Sequence, residues 1–410
     1  MNKKTLVVIG GGAAGFFCAV NSARMDKNLR VIILEKTNKL LAKVKISGGG
    51  RCNVTHACFE LKEMSKRYPR GENFVRKAFH QFFTSDTIKW FEERGVKLKT
   101  EEDGRMFPVT NTSQTIISCL MNEVNKYGLE IRMNTEVKQL RKKDAHFEII
   151  TANGSLTNAD YVCVACGGFP KRSMFQWLEN TGHTISEPVP SLFTFNLPKH
   201  AITELMGVSV ESVKVKVEGT RLSEDGPLLI THWGLSGPVI LRLSAWGARE
   251  LAIKNYAFKI HVNWLPAHNE ADLRTYLNNQ RITYPSKRFS SLSFSELPNR
   301  LWQFLLDQSE ISADTRFADL PSRLENLLIK NLFDQVFEIK GKTTFKEEFV
   351  TAGGIALNEI NVNTMMSKKW ENLFFAGEVT DVDGITGGYN FQYAWTSGWI
   401  AAKAICAIPS

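Results

Sequence analysis

Lys3-Lys4-Thr5-Leu6-Val7-Val8-Ile9-Gly10-Gly11-Gly12-Ala13-Ala14-Gly15 decides how the rest of the chain is read. The apolar run reads as a buried parallel strand, and the glycines carry it through a tight turn into a helix. That is the arrangement that receives the pyrophosphate of a dinucleotide. Gly10 permits the turn, Gly12 lets the backbone approach the phosphates, and Gly15 lets the helix pack on the strand. Ala13 and Ala14 open the helix, whose first N–H groups have no partner within it and face the anion. A second strand, Leu29 to Leu34, ends at Glu35. This is about twenty residues past Gly15, where a carboxylate hydrogen-bonds a ribose 2′-hydroxyl. An adenine dinucleotide with a free 2′-hydroxyl is expected, and this segment alone leaves FAD and NAD both open.

The 410 residues are enough for two or three domains with a large core. With 43% apolar and 23% charged residues the composition is that of an ordinary soluble protein. No uninterrupted apolar stretch reaches about 18 residues, so no membrane helix is expected. The first apolar run is the dinucleotide strand itself, so no N-terminal signal is read. Seven scattered cysteines (18, 52, 58, 119, 163, 166 and 406) suit a reducing cytoplasm. Cys163 and Cys166 have CxxC spacing, but they lie on an apolar strand with no second pair, so neither zinc nor any other metal is expected. The net charge of +9 fits either a polyanionic partner or solvated surface, because the cations are spread along the chain.

Beyond Glu35, residues 36–55 read as a long functional loop. Helical patterns occupy Phe74 to Glu93 and Thr112 to Lys126, and Tyr161 to Ala165 is a nearly continuous apolar strand. From about Ser191 to Gly341 no second glycine fingerprint appears. Two-residue alternation at Val208 to Val217 instead points to a β-rich domain with inserted helices. A last strand, Leu373 to Ala376, leads through Gly377-Glu378 to a helix beginning near Asn390. The expected organisation is a discontinuous dinucleotide domain, 1–190 and 341–410, interrupted by a β-rich domain, 191–340. A cofactor held at both ends of such a domain argues for FAD.

Three stretches carry a resemblance: Lys45-Ile46-Ser47-Gly48-Gly49-Gly50-Arg51-Cys52-Asn53-Val54-Thr55, Thr231-His232-Trp233-Gly234-Leu235-Ser236-Gly237-Pro238, and the run from Ala376 to Asn390. Together, over essentially the whole chain, they resemble the bacterial HI0933-like (YhiN/BaiN-like) family of NAD(P)/FAD-dependent oxidoreductases. The resemblance implies an α/β, glutathione-reductase-type FAD-binding Rossmann fold with an inserted β-barrel-like domain bearing a helical segment. It further implies reduction of an activated C=C bond with electrons from NAD(P)H. The substrate would be either uridine in large-subunit ribosomal RNA or a small steroid-type enone. A flavin-containing RNA- or protein-binding module is the remaining alternative. Nothing in the chain calls for an obligate protein partner.

The expected cofactor residues are Gly10, Gly12, Ala13, Ala14, Gly15, Glu35, Lys36 and Lys43. With them come Ser47, Gly48, Gly49, Arg51, Cys52 and Asn53 of the glycine loop, and Val137, whose backbone would meet the adenine. Cys166 and Gly167 stand where such flavoproteins have Thr-Gly-Gly. Gly377, Glu378, Asp383, Gly388, Tyr389 and Asn390 complete the set, with Glu378 placed for a ribityl hydroxyl and the helix start for the flavin pyrimidine edge. Asp383 reads equally well as a turn cap. Arg51 would offset phosphate charge or hold an anionic substrate group. Five residues separate Cys52 from Cys58, one more than in disulfide reductases, so Cys52 reads as packing rather than thiol redox. His232 is the first candidate for substrate-side proton chemistry and Tyr389 the second.

Overall fold

The computed structural model describes residues 3–144, 146–292, 294–343 and 350–408. These divide into two compact units. One is formed by residues up to Ser191 and again from Val350; the other runs from Leu192 to Thr343.

The first unit is built on a five-stranded parallel sheet: β1 (Thr5–Ile9), β2 (Arg30–Leu34), β3 (Glu130–Arg132), β4 (Tyr161–Val164) and β5 (Leu373–Phe375), in the order β5-β4-β1-β2-β3. Register runs Ile9 beside Leu34 on one side and Val164 on the other, with Val164 beside Phe375 in turn. All strands are parallel and covered on both faces, which is why β1 and β4 read as continuous apolar runs rather than alternating ones. Helix α1 (Ala13–Met25) follows β1, and the last helix, α2 (Tyr389–Ala407), packs against it. Their approach is close: a methyl on Gly398 of α2 would lie 2.6 Å from the carbonyl oxygen of Ala14. The C-terminal helix is thereby docked on the N-terminal one, and β5 and α2 complete the unit that β1 begins.

Residues 36–55 are not a continuous loop. Ala42–Gly50 starts as a helix and breaks at Ser47 to Gly49, where Ser47 is extended and both glycines are left-handed. Two short antiparallel sheets flank this unit: Thr55–His56 with Arg105–Pro108 and Leu98–Thr100, and Val137–Lys142 with Phe147–Thr151 and Leu156–Ala159.

The second unit is a seven-stranded antiparallel sheet. Its end strands, Gln335–Lys340 and Lys342–Thr343, are consecutive in the chain. Gly341 joins them, donating to Tyr256 O at 2.8 Å and accepting from Asn196 N–H at 3.1 Å. The sheet therefore curls until its edges share one connection, the barrel-like form that leaves little edge exposed. Helices Glu270–Thr283, Asn299–Gln308 and Ser322–Phe333 are inserted between two of its strands and pack on its core through Leu273, Leu305 and Leu328.

Candidate functional site

The turn after β1 is shaped by backbone proximity. A methyl on Gly10 would sit 2.4 Å from Ala165 O, and one on Gly15 would sit 2.0 Å from Gly10 O, so neither position admits a side chain. Gly12 is the opposite case: half-buried, with nothing within 4 Å of where a methyl would stand. It begins α1, which has no side-chain cap and no acidic residue in its first turn. A helix start with uncapped first-turn N–H groups, reached across the open space at Gly12, suits an anion.

Acidic groups hold the two flanks. Glu35 accepts the Gly11 N–H at 2.8 Å and, through its other oxygen, the Thr37 N–H at 2.9 Å and hydroxyl at 2.8 Å. Its backbone ties down the segment before Val137, since Thr135 N–H donates to Glu35 O at 2.8 Å. Val137, two residues past Thr135, is buried and opens a strand of a separate antiparallel sheet. On the other flank Glu378 accepts from Lys43 Nζ at 2.5 Å and from Thr351 N–H at 2.9 Å. Gly377 is pressed against Ala14, where a methyl would meet the alanine Cβ at 2.8 Å, and Ser397 Oγ accepts its N–H. Between the flanks lies Cys166, which feels Lys36, Glu35 and Glu378 together and whose thiol burial pushes up to about 12. Lys36 itself is exposed, over the Phe169 ring. Gly167 follows in a left-handed turn with open space before it.

The glycine loop and the start of α2 are stitched together. The Asn53 side chain donates to Thr55 O and accepts the Gly388 N–H, both at 3.0 Å. His56 Nδ1 lies 3.0 Å from Gly387 O, and its ring stacks on Tyr389 at 4.8 Å. The buried Gln392 Oε1 accepts from the hydroxyls of Thr55 at 2.6 Å and Thr87 at 3.0 Å. Asn390 clamps Gly384 reciprocally, accepting its N–H and donating to its carbonyl at 2.8 Å each. Tyr68 donates to Tyr389 O at 2.6 Å. Gly388 packs so tightly on Thr55 that a methyl would lie 2.6 Å from its carbonyl. The result is an uncapped helix start, with no acidic residue in its first turn, at a second glycine-lined edge.

Several expected residues have other employment in the structure. Arg51 stacks 4.0 Å over Phe107 and pairs with Glu101 at 2.5 Å. Ser47 Oγ turns back to Val44 O at 3.1 Å, and a methyl on Gly48 would strike Phe107 at 2.6 Å, whereas Gly49 faces open space. Asp383 has no exposed surface; Arg70 and Ser191 enclose its carboxylate, with Arg70 Nε at 2.5 Å and Ser191 Oγ at 2.8 Å. Cys52 is fully buried, and burial pushes its thiol up to about 12, which removes the thiolate that redox exchange needs. All seven cysteines are free thiols. Tyr389 is buried at the start of α2. In the second unit His232 is exposed on the two-residue turn of a hairpin, in edge contact with Trp233 at 4.0 Å.

His56 was not singled out by its sequence context. A lone histidine after a loop has no spacing signal, and only the antiparallel pairing of Thr55–His56 with Met106 and Arg105 sets it against Gly387. Burial lowers its pKa, against the opposing pull of the Gly387 carbonyl.

An HI0933-like protein Rossmann-domain model matches residues 4–404. The chain belongs to the HI0933-like family. Over its full length it is 31% identical to all of a ribosomal RNA dihydrouridine synthase of Escherichia coli K12. It is 29% identical, over 98% of this chain and 99% of the other, to a 3-dehydro-bile acid delta(4,6)-reductase of Clostridium scindens. Among solved structures, a 3-ketosteroid delta1-dehydrogenase of Sterolibacterium denitrificans aligns over 100% of both chains with a TM-score of 0.53 at 11% identity, which establishes the shared fold. The fold is the glutathione-reductase-type FAD-binding Rossmann fold. The residues present fit the cofactor: an open half-buried Gly12 at a helix start, carboxylates on both flanks, and a second helix start at the far edge. Among the described residues no helix is long and apolar enough to cross a membrane.

Proposed function

We propose that this HI0933-like protein reduces an activated C=C bond, that of uridine in large-subunit ribosomal RNA, to give dihydrouridine with electrons from NAD(P)H. The observation that carries this reading is the end-to-end kinship with an RNA dihydrouridine synthase, at 31% identity with neither chain left over. The net charge of +9 supports it, since a polyanionic substrate is drawn to a basic protein. Such a substrate belongs in the cytoplasm.

FAD, when bound, supplies the hydride-transfer chemistry. The chain's part is to hold and orient. Gly10, Gly12, Ala13, Ala14 and Gly15 would take the pyrophosphate, Glu35 the adenosine ribose, and Cys166, Gly167, Gly377 and Glu378 the floor between. Lys36, Lys43 and the backbone of residues 47–53, open at Gly49, would line the approach. Gly388, Tyr389 and Asn390 would present the α2 N-terminus, whose partial positive charge favours negative charge at that edge. His232, exposed on its hairpin, is our candidate to place a proton on substrate, ahead of the buried Tyr389. With no second glycine fingerprint, the nicotinamide would dock only in passing.

The kinship with a bile acid reductase favours a second reading, a small-molecule enone reductase. Both reactions saturate a double bond in conjugation with a carbonyl, so one site architecture serves either. The third reading, a flavin-containing binding module, predicts FAD retained without NAD(P)H oxidation. The test is nucleoside mass spectrometry of ribosomal RNA from cells with and without this gene. Loss of dihydrouridine on deletion, restored by the gene, is expected; unchanged dihydrouridine refutes the RNA reading.

A further inference from the structure

Resting on the RNA reading above, we infer that the helical insert of the second unit carries the RNA-backbone contact, at Tyr284, Lys287, Arg288 and Arg316. The sequence marks the place first. Between Asp272 and Glu296 there is no acidic residue, while Arg274, Arg281, Lys287 and Arg288 fall in that interval. Two of these four are spent on structure. Arg274 pairs with Glu270 at 2.7 Å, and Arg281 pairs with Glu325 at 2.6 Å and donates to Phe317 O at 3.1 Å.

The others are concentrated by the backbone. The stretch after helix Glu270–Thr283 runs antiparallel to residues 315–318, with Phe289 N–H on Thr315 O at 2.7 Å, Phe317 N–H on Lys287 O at 3.0 Å and Ala318 N–H on Pro285 O at 3.0 Å. That pairing sets Arg288 directly opposite Arg316. Like charges facing each other across a strand pair weaken it, and Phe289 and Phe317, buried beside them, would anchor the pairing equally well with neutral neighbours. Asp314 and Asp319 bracket Arg316 in sequence, yet among the described residues only Asp314 reaches a cation: Arg288, at 3.3 Å, with both side chains more than two-thirds exposed. Such an exposed pair contributes little and is easily exchanged for a phosphate. Among the described residues Lys287 and Arg316 form no ion pair.

An apolar and aromatic component accompanies the charge. Tyr284 is 50% exposed with Lys287 Nζ 5.5 Å from its ring centre, and Ile282 beside it is 79% exposed. Cations clustered around an exposed ring on which a base stacks are the recurrent chemistry of RNA-backbone recognition. A protein partner would use the apolar tip but gains nothing from two opposed guanidinium groups unless it is itself acidic, so RNA is the occupant the face favours.

The test uses the full-length FAD-loaded protein and purified large-subunit ribosomal RNA, with filter binding across a salt series. The triple variant Lys287→Glu, Arg288→Glu, Arg316→Glu is expected to bind at least tenfold more weakly. Its log–log salt slope should be shallower by about 2 to 3, the loss of three phosphate contacts, with FAD content and absorption spectrum unchanged. Arg288→Lys with Arg316→Lys keeps most of the binding. Tyr284→Ala, which leaves the charges in place, weakens binding about fivefold or more through lost stacking and decides the matter if the triple variant does not fold. Wild-type-like RNA binding by the triple variant, or by Tyr284→Ala in that case, overturns this surface while dihydrouridine formation by the wild type keeps the function. A wild type that neither binds ribosomal RNA nor forms dihydrouridine overturns both.

Discussion

Substituting Gly12 separates the cradle from the fold. Gly12 sits at φ −95° and ψ −172°, an extended backbone that alanine adopts without strain, and a methyl there meets no protein atom within 4 Å. Gly12→Ala therefore costs the cofactor-free protein only glycine's advantage at a helix N-cap, about 0.5–1 kcal/mol. The same methyl stands where an anion must come to reach the first-turn N–H groups. Losing two charge-assisted hydrogen bonds at about 1.5–3 kcal/mol each removes about 3–6 kcal/mol of binding, or about a hundred- to ten-thousand-fold in FAD affinity. Gly15→Ala is the contrasting control. Its methyl would fall 2.0 Å from Gly10 O, a backbone atom that cannot step aside, and the protein itself is destabilised by about 1–3 kcal/mol or more. Thermal unfolding without FAD and titration of flavin fluorescence read the two effects separately. Wild-type FAD affinity in Gly12→Ala refutes the assignment of the cradle.

Three further outcomes are expected. His183 is buried between Thr181 Oγ1 at 2.6 Å and Ser367 Oγ at 2.7 Å, and burial lowers its pKa to about 4. The folded state therefore binds fewer protons than the unfolded one. The contribution of His183 is complete above about pH 6.5 and drains away toward pH 4, a change of about 3 kcal/mol; denaturation of His183→Gln across that range should show a flatter pH dependence, and an unchanged slope contradicts this. Asn390→Ala strands the buried N–H and carbonyl of Gly384, lowering unfolding free energy by about 2 kcal/mol or more. Asn390→Asp, which keeps the acceptor, should recover about half in urea denaturation. Brief alkylation of the native protein followed by peptide mass mapping should label the half-exposed Cys58 well before the fully buried Cys52; equal rates would reopen a redox pairing of the two.

How much of this was legible beforehand follows from the kind of signal each element gives. β1 and β4 announce themselves because a strand covered on both faces needs apolar residues at every position, and the glycine spacing after β1 has one physical use. The last strand and helix were readable for the same reason, and with them the return of the chain to its first domain. The helix at Ala42–Gly50 was not. It is short, and the glycines at its end look like loop, which half of it is. Side-chain commitments were invisible as well. Nothing local to Arg51 reveals Glu101 fifty residues away, nor does anything around Asp383 reveal Arg70 and Ser191. His56 escaped notice because its partner, Gly387, arrives only through tertiary packing. The sequence names both Lys43 and Glu378, but that the two side chains meet across the turn is seen only in the structure.

The two ends of the chain converge at the site proposed for one flavin nucleotide. Lys43 meets Glu378, Ala14 meets Gly377, and Asn53 meets Gly388. The most direct test of that site is titration of the purified full-length protein with FAD, followed by flavin absorption and fluorescence after removal of unbound ligand. One tightly held FAD per chain, giving a yellow protein, is the predicted result. A protein that stays colourless, with no measurable affinity for FAD, contradicts it.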